Sequence, residues 1–303
     1  MATTSVPTIA APSVRSASRR RTPTAARIGL YAFLIVAAAY FLIPFYIMMV
    51  TSFKTMEEVR LGEIFALPGT LNIEPWIKAW SSACTGLDCN GIRVGFWNSV
   101  KILVPSVILS VLLGALNGYA LALWRIRGAN LILAALMFGA FIPYQVVLAP
   151  LVQLTRVTGI YGSLPGIIVM HVIFGLPLLT MIFRNFYAGI PEEIIKAARV
   201  DGAGFFQIFW KIMLPMSPTI MIVAVILQVT GIWNDYLLGL IFAGRENLPM
   251  TTQLNNVVNS TYGEREYNVD MAATMLTALV PLVVYLASGR YFVRGVTAGA
   301  VKG

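Results

Sequence analysis

Six apolar stretches of about twenty residues, separated by polar segments, dominate the pattern of this 303-residue chain. They lie at about Leu30 to Val50, Val100 to Leu123, Leu131 to Val152, Pro165 to Tyr187, Ile212 to Phe242 and Met271 to Phe292. At about 1.5 Å of rise per helical residue, each can cross roughly 30 Å of hydrocarbon. The expected fold class is therefore all-α, a polytopic membrane protein with six transmembrane helices. The fifth stretch exceeds a simple span. Pro215 and Pro218 near its start predict a kink, because proline lacks the N–H that the helical ladder needs. An even number of crossings puts both termini on one side.

Composition supports the pattern: 58% of residues are hydrophobic and only 12% charged, against roughly 45–50% and 25% in soluble domains. Charge then orients it. When the loops are assigned in alternation, 14 of the 22 Lys and Arg and three of the 13 acids (Glu192, Glu193 and Asp201) fall on the terminal side. The opposite side takes eight bases and ten acids. By the positive-inside rule both termini are cytoplasmic. The net charge of +9 is thus a topology signal; its bases are scattered at span ends, so no nucleic-acid partner is expected.

Residues 1–28, rich in Ser, Thr, Pro and Ala with an Arg cluster, are too poor in large apolar side chains to fold and are expected to form a disordered cytoplasmic tail. The transmembrane domain is expected over 29–295 and a short cytoplasmic tail over 296–303. The run Leu30 to Val50 is longer than the apolar core of a cleaved signal peptide, so it is expected to stay as the first helix.

The loop from Thr51 to Asn98 carries Trp76, Trp80, Trp97 and the two cysteines. Cys84 and Cys89 flank four residues on the side expected to be oxidising, so a small disulfide ring is feasible, with two free thiols the alternative. A metal site is not expected, since His171 is the sole histidine and two thiols do not fill zinc's four positions. No phosphate-binding Gly-x-x-x-x-Gly-Lys-Ser/Thr loop and no serine-nucleophile elbow occurs. The chain is not expected to be an enzyme or to hold a cofactor itself.

The polar insert from Ile190 to Pro215 interrupts this apolar pattern. Pro191 followed by Glu192 and Glu193 starts a short helix at the positive end of its dipole. Glu192 and Lys196 are spaced i, i+4, and Ile194, Ile195 and Ala198 leave an apolar side. Asp201, Gly202 and Gly204 break that helix, and Phe205, Phe209, Ile212 and Met216 recur at helical spacing beyond. Two helices joined by a bend are predicted at the cytoplasmic face. They form either a ridge for a partner or an amphipathic helix lying among headgroups.

The run Ala197-Ala198-Arg199-Val200-Asp201-Gly202-Ala203, followed by Phe209 and Ile212-Met-Leu-Pro215, resembles the coupling loop of binding-protein-dependent ABC importer permeases. The closing Val296-Thr-Ala-Gly-Ala-Val-Lys-Gly303 is similar to the tail of carbohydrate permeases related to the maltose importer. One departure is Lys196 at the usual leading Glu position, where Glu192 or Glu193 would supply the acid. The resemblance implies a type I ABC importer permease fold in the bacterial cytoplasmic (inner) membrane. It also implies four partners: a second, homologous permease, two ATP-binding subunits that hold ATP and Mg, and an extracytoplasmic sugar-binding protein. Coupling to the ATPase would then rest on Glu192, Glu193, Lys196, Ala197, Ala198, Asp201, Gly202, Ala203, Phe205, Phe209 and Pro215.

Polar residues inside spans are candidates for a sugar path, because an intramembrane polar group is costly unless it is paired or wet. Gln145, Gln228, Trp233, Asn234, Asp235 and Tyr236 stand out, with helix-to-helix hydrogen bonding as the alternative. Asn117, within Gly114 to Gly118, and His171 are read as packing residues. In the loop Ala243 to Asp270, the resemblance implies binding-protein contacts at Asn255, Asn256, Asn259, Tyr262, Arg265 and Tyr267. The segments Phe183 to Tyr187 and Tyr267 to Ala273 are most similar to glucose/mannose-type permeases, a pattern shared with importers of oligosaccharides such as α-glucosides. A secondary transporter would need ionisable residues deep in its spans and often inverted repeats, neither of which stands out. A non-transporting scaffold or sensor would explain the insert but not the polar residues spread over several helices.

Overall fold

Two of the helices begin at side-chain caps, and prolines mark the breaks within two of the apolar runs. The computed structural model describes residues 24–86, 88–124, 126–260 and 264–300, with side chains through residue 289. Two units divide the chain, Met1–Tyr46 and Ile47–Gly303. The first is described from residue 24, within α1 (Thr24–Thr51), a helix that continues into the second unit.

After α1 comes α2 (Met56–Arg60), started by a capping box: Glu58 N–H donates to Thr55 Oγ1 and Thr55 N–H donates to the Glu58 carboxylate. These satisfy N–H groups that a helix start otherwise leaves unpaired. Then follow α3 (Glu74–Ser81) and α4 (Arg93–Leu123), α5 (Ala129–Phe141) and α6 (Tyr144–Val157). Next is α7 (Leu164–Tyr187), capped by Ser163. The chain continues through α8 (Glu192–Val200), α9 (Phe205–Ile208), a π-helical turn at Phe209–Met213 and α10 (Pro218–Trp233). It closes with α11 (Leu237–Phe242), α12 (Met250–Val258) and α13 (Tyr267–Ala300).

Four of these helices, α1, α4, α7 and α13, are long and apolar enough to cross a membrane, and two bent helix pairs bring the number to six when each pair is counted as one span. The expected third span, Leu131 to Val152, is not one helix. It is α5 and α6 meeting at 101°, because Ile142 before Pro143 is extended, as the proline ring requires of its predecessor. The expected fifth span, Ile212 to Phe242, is also broken. The segment Phe205–Met213 meets α10 at 91°, with Pro215 in the break and Pro218 opening α10, and a second break at Asn234 to Tyr236 separates α10 from α11. At 16 residues, α10 alone is about 24 Å long.

The core of the second unit is the contact of α4 with α7. A Cβ on Gly114 would lie 2.5 Å from Leu179 Cβ, and one on Gly118 would lie 2.6 Å from Arg184 N. Only glycine allows this approach, the small-residue packing of membrane helices. Tyr119, Phe183, Tyr187, Ile208, Phe209 and Met213 are buried around the same contact. A second cluster joins α3, α12 and α13 around Ile92, Trp233 and Met250. Polar ties hold it: Gly95 N–H donates to Gln253 Oε1 at 2.8 Å, Met250 N–H to Ser99 Oγ at 2.8 Å, and Asn268 Nδ2 to Lys54 O at 2.9 Å.

Candidate functional site

The insert folds as two helices about a glycine bend. Glu192 and Glu193 occupy the first turn of α8, and Lys196 Nζ is 3.0 Å from Glu192 Oε2. Ile195 and Ala198 are buried while Lys196, Ala197 and Arg199 are exposed, so α8 lies with one face on the bundle. Past Asp201, Gly202 adopts φ +80°, the left-handed conformation that glycine reaches without a Cβ penalty. Ala203 N–H donates back to Ala198 O at 2.9 Å and closes the helix end.

Several contacts fasten this element to the end of α4. The Tyr119 ring centroid is 4.8 Å from that of Phe205 and 5.7 Å from that of Phe209, and its hydroxyl donates to Phe205 O at 3.3 Å. The Arg199 guanidinium sits 4.5 Å from the Trp124 ring centroid and donates to Leu123 O at 3.4 Å. The pair combines a cation–π contact with neutralisation of a helix C-terminus. Within the π-helical turn, Leu214 N–H donates to Phe209 O at 2.9 Å. Ser217 Oγ is 3.0 Å from Tyr187 Oη, which ties the break around the exposed Pro215 to α7. On the outer side Val200, Phe206 and Trp210 are 87%, 62% and 53% exposed. Exposed apolar side chains of this size mark a contact with a protein or with the membrane.

The polar span residues separate into three groups. Gln228, Asn234 and Asp235 line one cavity of about 490 Å³, together with Tyr144, His171 and Phe174. The Asp235 carboxylate accepts from Leu238 N–H at 3.3 Å and Gly239 N–H at 2.9 Å, starting α11. His171 Nε2 is 3.9 Å from Asp235 Oδ2, so this histidine, read from the sequence as packing, borders the cavity. Trp233 turns the other way, 2% exposed in the second cluster, with Nε1 donating to Thr277 O at 3.0 Å. Tyr236 donates to Asn255 Oδ1 at 3.2 Å, while Gln145 is exposed outside the cavity lining.

At the other end of the bundle, Asn255 and Asn259 are exposed on α12 and its cap, with Asn256 half-buried between them. Arg265 lies 3.3 Å from Asp270 Oδ2 and 5.0 Å from the Tyr267 ring centroid. Tyr262 lies outside the described residues. Cys84 and Cys89 are joined in a disulfide, and Asp88 within its ring faces Arg245 at 3.5 Å. Nearby, Lys78 pairs with Glu266. Glu58 accepts N–H groups from Thr55 and Gly69, which hold its carboxyl below the ordinary value of 4.5.

The described residues form a bundle of helices long and apolar enough to cross a membrane, with an exposed helical ridge at one end. The family described as "Binding-protein-dependent transport system inner membrane component" matches residues 102–298, and the chain belongs to it. It is 37% identical over 94% of its length to the whole of a probable ABC transporter permease protein of Pyrococcus horikoshii. It is 39% identical over 84% of its length to an alpha-glucoside transport system permease protein of Rhizobium meliloti, covering 67% of that protein. A glucose import system permease protein of Saccharolobus solfataricus is 29% identical, with 90% of this chain and 95% of that one covered. Among solved structures, a bacterial ABC transporter involved in import of the acidic polysaccharide alginate matches with a TM-score of 0.74 at 18% identity. That match covers 90% of this chain and 99% of the other. The fold is thus that of an ABC importer permease, with six spans.

Proposed function

We propose that this chain is one of two permease subunits of a sugar importer, driven by two ATP-binding subunits and supplied by an extracytoplasmic sugar-binding protein. The observation that carries the reading is the α8–α9 ridge, fastened to the bundle on one side and exposing Val200, Phe206 and Trp210 on the other. In this reading the ridge faces the cytoplasm, as do both termini, and fits a cleft on an ATP-binding subunit. Closure of the ATPase pair on ATP pushes α8, and Arg199 on Trp124 and Tyr119 on Phe205 pass the push to α4. Because α4 is locked to α7 at Gly114 and Gly118, the pair moves as one body. Interfaces of this kind switch between discrete packings, since cores do not deform continuously.

The sugar is of the glucose/mannose type in the first reading, supported by likeness to the glucose import permease. A second reading, import of α-glucosides, is supported by the 39% identity to the alpha-glucoside permease. The residues Asn255, Asn256, Asn259, Arg265 and Tyr267 form the receptor-facing surface. The test is to express the chain with its neighbouring transport genes, purify it, and assay sugar uptake into vesicles. Co-purification of an ATPase and a second permease, with uptake requiring both ATP and binding protein, is the expected result. Uptake driven by an ion gradient without ATP would overturn the reading.

A further inference from the structure

We infer that the loop from Lys54 to Ile77 is a membrane-surface anchor, seated with its aliphatic side chains in the headgroup–acyl boundary at the face where α4 and α13 begin. This anchoring is independent of what the chain transports.

The loop hides charge and shows aliphatic surface. Leu61, Ile64, Leu67, Leu71, Ile73 and Ile77 are 52–78% exposed. Lys54, by contrast, is 3% exposed and donates from Nζ to Glu63 O at 2.6 Å. The Glu58 carboxylate turns back on the loop as well, accepting from Thr55 N–H at 2.9 Å and Gly69 N–H at 2.8 Å. Exposed aliphatic residues scattered singly are ordinary on a protein surface, but a run of them in one short segment marks a face that something apolar covers.

Two ties hold this face at the end of the bundle. Asn72 N–H donates to Phe53 O at 3.1 Å and closes the loop at its base. Asn268, in the first turn of α13, donates from Nδ2 to Lys54 O at 2.9 Å, and residues 267–289 of that helix are long and apolar enough to cross a membrane. Next along the chain, α3 packs on α13, with Pro75 and Ala79 buried and with Ile73 and Ile77, spaced i, i+4, exposed.

Tryptophans set the depth. Trp76 and Trp80 on α3 and Trp97 in the first turn of α4 gather with Phe53 and Phe96, with ring centroids 5.3 Å apart for Phe53 and Trp76, 5.5 Å for Trp80 and Phe96, and 5.2 Å for Phe96 and Trp97. Tryptophan concentrates at the headgroup level of a bilayer, and α3 carries two of these rings beside Ile73 and Ile77. That depth favours lipid over a soluble partner. Charge decides the kind of lipid surface: Lys54 and Arg60 stand against Glu57, Glu58, Glu63 and Glu74, so no basic cluster draws anionic headgroups. Buried apolar area supplies the attraction, and a zwitterionic surface suffices.

Leu61→Cys, Leu67→Cys and Leu71→Cys, made one at a time, each add the single free thiol of this chain, because its two native cysteines are bonded to each other. The full chain, purified with the subunits that accompany it, is labelled there with a nitroxide and placed in nanodiscs of zwitterionic phospholipid. Power-saturation EPR then compares collisions of the label with oxygen, which concentrates in hydrocarbon, and with a nickel(II) chelate, which stays in water. The oxygen-to-nickel ratio at all three positions should be severalfold above that of a label at Asn259→Cys, on the exposed end of α12. A ratio equal to that at residue 259 would place the loop in water and overturn the anchor. Protection from both reagents would place a protein over the loop and overturn it equally.

Discussion

The α8–α9 ridge and the cavity are built in opposite ways. The ridge takes its exposed and anchoring side chains from one run, 192–213, together with Tyr119 and Trp124 from the end of α4. The cavity gathers Tyr144 from α6, His171 and Phe174 from α7, Gln228 from α10 and Asp235 from the turn before α11. Such a ridge can be written as a contiguous motif, because its geometry is local. A cavity exists only after helices far apart in sequence have packed. The α4–α7 contact joins the two regions, since α4 carries the anchors of the ridge and α7 carries one wall of the cavity.

Breaking that joint should have the largest effect. Gly118→Leu places a side chain where even a Cβ lies 2.6 Å from the α7 backbone. Overpacking of this kind costs about 1–3 kcal/mol or more. The purified subunit should lose several degrees of Tm and accumulate poorly in membranes; an unchanged Tm would show that the close contact does not hold the regions together. Gly202→Asp is the next test and isolates the ridge. The substituted residue must adopt the φ of +80° found there, at about 1–2 kcal/mol, at a site where a Cβ meets nothing within 4 Å. Membrane insertion should be normal while sugar-stimulated ATPase activity of the complex falls at least about tenfold, a barrier change of roughly 1.4 kcal/mol. Normal stimulation would sink the lever.

Arg199→Ala should act more mildly. It removes an exposed cation–π contact worth about 0.5–1 kcal/mol and a long hydrogen bond to Leu123 O. ATP turnover per sugar transported should rise severalfold as coupling loosens, with assembly intact. The smallest effect is expected far from both regions, at Glu58. Its carboxyl is held below the ordinary 4.5 by the Thr55 and Gly69 amides. The loop stabilisation it provides is therefore complete above 4.5 and lost as pH falls through the lowered value. Hydrogen exchange at the Thr55 and Gly69 amides, corrected for intrinsic rate, should lose protection only in that acid window, and Glu58→Gln, which keeps one acceptor oxygen for the two amides, should lose protection at one of them at neutral pH.

The spans and the ridge were legible because period and length carry them: apolar runs of crossing length, and a proline, two acids and a glycine bend in sequence. The breaks were less so. Pro215 and Pro218 announced the kink before α10, but the same signal at Pro143 was hidden inside a run apolar on both sides, and α5 and α6 read as one span. Trp233 looked like a cavity residue from its polar neighbours, whereas its indole N–H is used by Thr277 O, 44 residues away in α13. His171 was read as packing for the complementary reason, since nothing near it in sequence reveals Asp235 across the bundle. Local chemistry is readable along the chain, and partners brought together by packing are not.

The central claim is that the α8–α9 ridge receives the stroke of an ATP-binding subunit. Val200 is its most exposed apolar residue, and Val200→Cys would be the single free thiol of the chain, because Cys84 and Cys89 are bonded. Treating the purified complex with a short bismaleimide should join this thiol to a cysteine placed along the ATPase cleft, with a yield that changes on ATP binding, while Asn255→Cys on α12 gives no such adduct. An adduct at Asn255 with none at Val200 would contradict the account.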